Sequence, residues 1–397
     1  MLTGKTVVLG VTGSISAYKI PNLASALVKL HANVEVIMTK NATNFITPVT
    51  FETLTKNRCL TETFDRSDVS EVKHIATAER ADLILVAPAS ANIIAKMAHG
   101  IADDMLSTTL IAAKCPVLVS PAMNVNMFNH PSVQDNLKIL EKRGVTVIQP
   151  DSGFLACGAT GAGKLPSEQA LLDYILKIIA KEKDMSGKKV LVTAGPTRES
   201  LDPVRFISNH STGKMGYAVA RQAMLRGADV TLITGPVGIA PPPFVKVVPI
   251  QSAQELFEAV SDCCGEMDCI VMTAAVADYT PAEIKTEKIK KSDGGSDLNL
   301  PLKRTTDILR WLGTHKRKGQ LVCGFSMETE NLLENSRAKL ADKNADMIAA
   351  NSLKDSGSGF GTDTNRLTLI TKESVTELPL LSKEDAADRL WDELLKK

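Results

Sequence analysis

An excess of charge of either sign is what this chain most clearly lacks: 46 basic and 45 acidic side chains leave a net charge of +1 over 397 residues. No overall field therefore holds it on nucleic acid or an anionic membrane, and any phosphate must be gripped by a local constellation. Cysteine is sparse as well. The seven present are odd in number and scattered apart from the adjacent Cys263 and Cys264. They make a poor disulfide framework for a chain of this length, which fits a reducing cytoplasm. Long apolar runs are missing too: the stretch MLTGKTVVLGVTG is too short in apolar residues and too rich in glycine for a signal peptide or membrane span. A cytoplasmic protein with no membrane or nucleic-acid partner is expected.

Apolar residues at 44% and charged residues at 23% suffice for sizeable cores. The length exceeds one ordinary domain of about 100–200 residues, so two are expected. The chain also starts twice. Residues 4–14 read GKTVVLGVTGS and residues 187–197 read GKKVLVTAGPT, each a lysine, a short apolar run and a glycine-containing turn. After the first turn, Ile20, Leu23, Ala24, Leu27 and Leu30 share one helical face, with Pro21 in the opening turn, where proline is tolerated. NVEVIMT then supplies a strand. After the second turn, STGKMGYAVARQAMLRGA reads as a helix and DVTLITG as a strand. ADLILVAPAS and MDCIVMTAAVADY repeat the pattern of a buried strand running into a small-residue loop. The expectation is an α/β protein of two doubly wound Rossmann-like domains, with ligands beyond the carboxyl ends of the strands. The first, flavodoxin-like, spans 1–185 and closes on the amphipathic EQALLDYILKIIAKEKDMSG. The second spans 186–397 and adds a C-terminal β-hairpin, from NRLTLIT to VTELP, and a final helix.

In the first half, the turn Gly10 to Ser16 joins a strand to a helix start, where backbone N–H groups and the Ser14 and Ser16 hydroxyls can hold one phosphate. It lacks G-x-G-x-x-G, which disfavours dinucleotide binding. APASANIIAK places Ser90 and Asn92 after one strand, and PAMNVNM places Asn124 after another, so three loops converge on one sheet edge. Together with GFLACGATGAGK at 153–164, these segments resemble the flavin-dependent cysteine decarboxylase family. The resemblance implies that Gly13, Ser14, Ile15, Thr39, Ser90 and Asn92 contact FMN. It implies that His74 orients or deprotonates the substrate thiol, Asn124 grips the carboxylate and Cys157, on a closing flap, donates the final proton. Oxidation of the thiol-bearing carbon by the flavin gives the departing carboxylate somewhere to leave its electrons. Lys164 stands where the family usually has arginine. Taken singly, His74 also reads as a surface histidine, Cys157 as a small core residue and Asn124 as a turn former.

In the second half, GPTRESLDPVRFISNHSTGKMG reads as an anion-binding loop between strand and helix, the other reading being a ligand-free glycine-rich connection. It is not a Walker A motif, since Ser208 replaces the first glycine and Met215 the Ser or Thr. Asp278 follows a buried strand, and the lysine run EIKTEKIKK, by itself an ordinary solvated face, comes shortly after it. Lys339 and Lys343 lie one helical turn apart and suit a triphosphate, with Asp278 near the nucleotide or its Mg²⁺. These motifs, with GFGTDTN at 359–365, resemble phosphopantothenate-cysteine ligase, and both halves in this order resemble the bifunctional decarboxylase/ligase family of bacteria. The resemblance implies CTP binding by Met272, Thr273, Ala274, Asp278, Lys288, Thr306, Asp307, Ile308, Leu309, Phe325, Lys339 and Lys343. It implies action of Arg205 and Asn209 on an acyl-cytidylate. Thr306 replaces a proline seen in many relatives.

The substrates so implied are 4′-phosphopantothenate, cysteine and CTP, the product 4′-phosphopantetheine, and the setting coenzyme A synthesis. The resemblance also implies trimers of the first domain and dimers of the second, and so a homo-oligomer, up to a dodecamer. Two other readings compete. A flavin-binding regulatory subunit is disfavoured by His74, Asn124 and Cys157 beside a complete ligase half, and a nicotinamide-dependent reductase by the missing G-x-G-x-x-G.

Overall fold

The computed structural model describes residues 1–64, 72–154, 158, 160–290, 299–328, 330–352, 359 and 361–396, without the side chains of Glu328 and Ser352. The chain divides into two compact units, Met1–Lys181 and Glu182–Lys397. Both are α/β. No helix among the described residues is long and apolar enough to cross a membrane.

The first unit is built on a six-stranded parallel sheet in the order Cys59–Leu60, Asn33–Met38, Thr6–Val11, Leu83–Ala89, Val117–Pro121, Thr146–Val147. Leu83–Ala89 is buried at all seven positions, as a parallel strand covered on both faces must be. Ile84 and Val86 pack with Ile93, Ile94, Leu106 and Leu137, side chains whose full burial contributes roughly 1.5–3 kcal/mol each. Helix Ile20–Lys29 buries Ile20, Pro21, Leu23, Ala24 and Leu27, while Leu30 caps it and stays half-buried. Helix Glu168–Ile179 closes the unit with Leu171, Leu172, Ile175, Leu176 and Ile179 inward. Strand order reverses between Thr6–Val11 and Leu83–Ala89, so their loops diverge there and leave a crevice at the carboxyl edge.

The second unit has an eight-stranded sheet: Lys246–Pro249, Asp229–Thr234, Lys189–Ala194, Cys269–Met272, Leu321–Glu328, Met347–Ser352, Thr368–Thr371, Val375–Glu377. The first six are parallel. The expected C-terminal hairpin is the last pair, and it extends this sheet antiparallel to Met347–Ser352. The final helix, Lys383–Leu394, packs on helix Lys214–Leu225, with the fully buried Trp391 donating Nε1–H to Val219 O at 3.0 Å. The reversal lies between Lys189–Ala194 and Cys269–Met272. Gly216 allows the helix to approach there, since a Cβ would lie 2.3 Å from Thr273 Oγ1 and 2.5 Å from Ala194 Cβ.

Candidate functional site

In the first unit, Thr12 stitches the crevice together. Its Oγ1 donates to Pro88 O at 2.7 Å and accepts from Ser90 N–H at 2.9 Å, fixing the Gly13 loop beside the Ser90 loop. The next loop joins them, with Ala122 N–H donating to Ala89 O at 3.1 Å. Ser14 starts a 3-10 turn, Ile15–Lys19, without a capping bond from its side chain, which leaves that hydroxyl and the first turn's N–H groups for an anion. Gly13 presses on the following strand's loop: a Cβ would sit 2.6 Å from Asn41 Cβ. Thr39 Oγ1, in the same loop region, is buried without a hydrogen-bond partner. An orphaned hydroxyl, an uncapped helix start and a glycine pressed on its neighbour fit a phosphate-bearing cofactor laid over this edge.

A hollow of about 290 Å³ brings Ser14, Ile15 and Asn124 together with Phe154, Gly163 and Lys164. Asn124 caps the short helix Val125–Phe128, its Oδ1 accepting from Asn126 N–H at 2.8 Å. The antiparallel hairpin Asp151–Phe154 with Thr160–Lys164 docks beside it through Met123 N–H to Gly163 O at 3.0 Å. His74 lies on helix Lys73–Arg80, its Nδ1 buried and unpartnered. His74, Thr39, Ser90 and Asn92 do not line this hollow, and Ser90 spends its side chain capping helix Ala91–His99. Cys157 lies outside the described residues.

The second unit holds two adjoining hollows, of about 800 and 430 Å³, with Ala274, Val276, Asp278, Phe325 and Lys339 common to both walls. The larger gathers Met272, Ala274 and Asp278 from one loop, Thr306, Asp307, Ile308 and Leu309 from a second, and Phe325, Lys339 and Lys343 from beyond. Of the twelve residues expected on the nucleotide, Thr273 lines the smaller hollow instead, and Lys288 is exposed and lines neither. Helix Leu332–Asp342 carries Lys339, whereas Lys343 is its C-cap. Lys339 Nζ donates to Phe325 O at 2.9 Å; Lys343 Nζ meets Asp307 at 2.9 Å and Asp342 at 2.6 Å. Burial disfavours the charge on Lys343, but these two carboxylates outweigh it and hold the ammonium above the ordinary lysine range. Asp278 is exposed, with no ion-pair partner among the described residues.

The wall between the hollows is held by its neighbours. Ala274 N–H donates to Thr193 Oγ1 at 3.2 Å, the Thr273 hydroxyl donates to Thr193 O, and Thr305 Oγ1 donates to Ala277 O at 2.7 Å. Asn209 lines the smaller hollow and donates one Nδ2 hydrogen to Ala275 O at 2.9 Å. Arg205 is not in either hollow. Its guanidinium grips Asp202 Oδ2 at 3.0 and 2.6 Å and donates to Ile289 O at 2.7 Å, fastening the segment next to Lys288. Burial opposes the Asp202 charge, yet Arg205 and the N–H groups of Val204, Ile289 and Arg205 hold it well below the usual carboxylate range.

Sequence reasoning missed two lysines. Lys214 reaches Gly361 O at 3.0 Å and Asp363 at 2.7 Å, and Lys383, at the start of the last helix, reaches Gly359 O at 3.0 Å and Thr362 O. Together they pin Gly359, Gly361, Thr362 and Asp363 beside the smaller hollow, and both lysines line it. Burial, and then the Lys214 charge, pushes the Lys383 ammonium below the ordinary lysine range. Lys214 stood within a motif, but Lys383 gave no local signal. Among the described residues no three His, Cys, Asp or Glu side chains form a metal cluster.

Residues 1–180 match the family model described as Flavoprotein, and residues 185–397 match the DNA/pantothenate metabolism flavoprotein C-terminal domain. The chain is 47% identical to the coenzyme A biosynthesis bifunctional protein CoaBC of Bacillus subtilis, over 99% of this chain and 97% of that one. It is 41% identical to the protein of the same description from Borreliella burgdorferi, over 97% and 98% respectively. A solved C-terminal domain of a coenzyme A biosynthesis bifunctional protein CoaBC is 43% identical and covers 53% of this chain and 94% of its own, with a TM-score of 0.45.

Proposed function

We propose, from the premise that this chain belongs to the family of coenzyme A biosynthesis bifunctional proteins, that it joins 4′-phosphopantothenate to cysteine and then decarboxylates the product to 4′-phosphopantetheine. Residues 186–397 form the CTP-dependent ligase and residues 1–185 the FMN-dependent decarboxylase. The observation that carries the ligase reading is the larger hollow, where loops far apart in sequence meet two lysines and an unpaired aspartate.

Forming an amide at neutral pH requires a carboxylate oxygen to become a leaving group. The carboxylate attacks the α-phosphorus of CTP, pyrophosphate departs, and the cysteine amine displaces CMP from the mixed anhydride. Lys339 and Lys343 face the triphosphate. Magnesium is ordinarily held by one or two carboxylates plus phosphate oxygens, and Asp278 is the free carboxylate at this place. Asn209 offers its second amide hydrogen to the charge growing on the acyl oxygen. Arg205, by holding Ile289, sets the segment from which Lys288 approaches the acyl-cytidylate. Met272, Thr273, Ala274, Phe325 and the Thr306 to Leu309 turn hold the base and ribose.

In the decarboxylase half, Gly13, Ser14, Ile15 and Thr39 would hold FMN, with Ser90 and Asn92 on the adjoining loop. Bound FMN would take an electron pair from the thiol-bearing carbon and return it after CO₂ has left. Asn124 grips the departing carboxylate. His74 orients or deprotonates the thiol, and Cys157 delivers the last proton. The protein works in the cytoplasm as a homo-oligomer, up to a dodecamer. Two measurements test the reading: FMN released on denaturing the purified protein, and pyrophosphate released from CTP only when the acid is present. A colourless protein that rejects added FMN and ignores CTP would end it.

A further inference from the structure

Asn351 lies near the carboxyl end of strand Met347–Ser352, opposite Met327 of the neighbouring parallel strand. It lines the smaller hollow although only 5% exposed, and its side chain has no hydrogen-bond partner among the described residues. Asn365, equally buried in the same lining, differs: its Oδ1 accepts from Arg366 N–H at 3.0 Å. Its polar atoms open onto the hollow and are committed to no protein group among the described residues, so the amide is presented to whatever fills that space.

The chemistry of the side chain narrows that ligand. An asparagine presents a carbonyl acceptor beside an N–H donor, and another amide matches both at once. A phosphate or carboxylate accepts only, and an ammonium donates only, so neither satisfies both atoms. The same hollow carries the Lys214 and Lys383 ammonium groups and the start of helix Lys214–Leu225, whose cap Gly213 brings no side-chain bond, an environment for an anion. The hollow thus suits a molecule with an anionic tail and an amide, whose other end reaches the wall shared with the nucleotide hollow. Resting on the ligase reading above, we propose that Asn351 binds the amide in the middle of the acid substrate and selects for acids that carry it.

The test measures steady-state ligation by the full chain with 4′-phosphopantothenate and with its ester analogue, in which oxygen replaces the amide N–H. With the native protein, the ester should raise KM for the acid about tenfold or more, leaving KM for CTP within about twofold. Asn351→Leu and Asn351→Ala should raise KM for the natural acid similarly and erase the preference for amide over ester. Equal KM for amide and ester with the native protein overturns the proposal without any variant, and so does a folded variant that keeps the preference. If the native protein releases no pyrophosphate from CTP with the natural acid, the ligase reading fails and this inference fails with it.

Discussion

At the residue scale, two side chains should separate the two chemistries and a third bears on stability. Cys157→Ser should leave CO₂ release intact while the saturated thiol product falls by about 10²- to 10⁴-fold, the ordinary loss for a general acid, as read by mass spectrometry. Normal saturated product would remove Cys157 from the last step. Asn209→Ala should slow ligation by about 2.7–4 kcal/mol of transition-state stabilisation, with acyl-cytidylate accumulating in a quench experiment and decarboxylation of supplied 4′-phosphopantothenoylcysteine unchanged. Unaltered ligation would exclude that role. Asp202 belongs to stability. Its carboxyl is held below the ordinary aspartate value of about 3.9, so its contribution is present above roughly pH 5 and fades as pH falls toward the depressed folded value. Asp202→Asn should therefore flatten the acid side of a plot of urea midpoint against pH, and an unchanged slope below pH 5 would contradict the Arg205 clamp.

At the element scale, the last helix ties the ends of the second unit together through Trp391, buried against helix Lys214–Leu225. Trp391→Ala should cost about 3–5 kcal/mol in denaturant unfolding of that unit, whereas flavin retention by the first unit should be unaffected. A loss under 1 kcal/mol would mean that the helix is an accessory. The parallel strands were legible because Leu83–Ala89 and Cys269–Met272 are unbroken apolar runs leading into small-residue loops. That the closing hairpin joins the main sheet was not legible, since a hairpin's own pattern does not name the strand its edge will pair with. Likewise Lys383 begins an amphipathic helix, and its contact with the Gly359 and Thr362 carbonyls exists only after the chain has folded back. Asn351 ends an apolar run, as Thr193 and Thr273 nearly do, but only its missing partner distinguishes it.

At the scale of the whole molecule, one plan is used twice: a doubly wound sheet puts its loops at a strand-order reversal, and the side chains on those loops differ between the two units. Ten of the twelve residues that the resemblance assigns to a nucleotide line one hollow, since they fall in four short segments at the same sheet edge. Arg205 and Lys288 were harder to place, for their geometry depends on the Asp202 clamp and on a loop with no regular pattern. On the proposed reading the two reactions are chemically ordered, since the carboxylate to be removed by the first unit would enter with the cysteine that the second unit attaches. The most direct measurement is a timed incubation of the full chain with 4′-phosphopantothenate, cysteine, CTP and Mg²⁺, following pyrophosphate, CO₂ and 4′-phosphopantetheine together. Pyrophosphate should appear first, then CO₂ and 4′-phosphopantetheine in equal amounts, each approaching the pyrophosphate released; CTP turnover with no CO₂, or no CTP turnover at all, would contradict it.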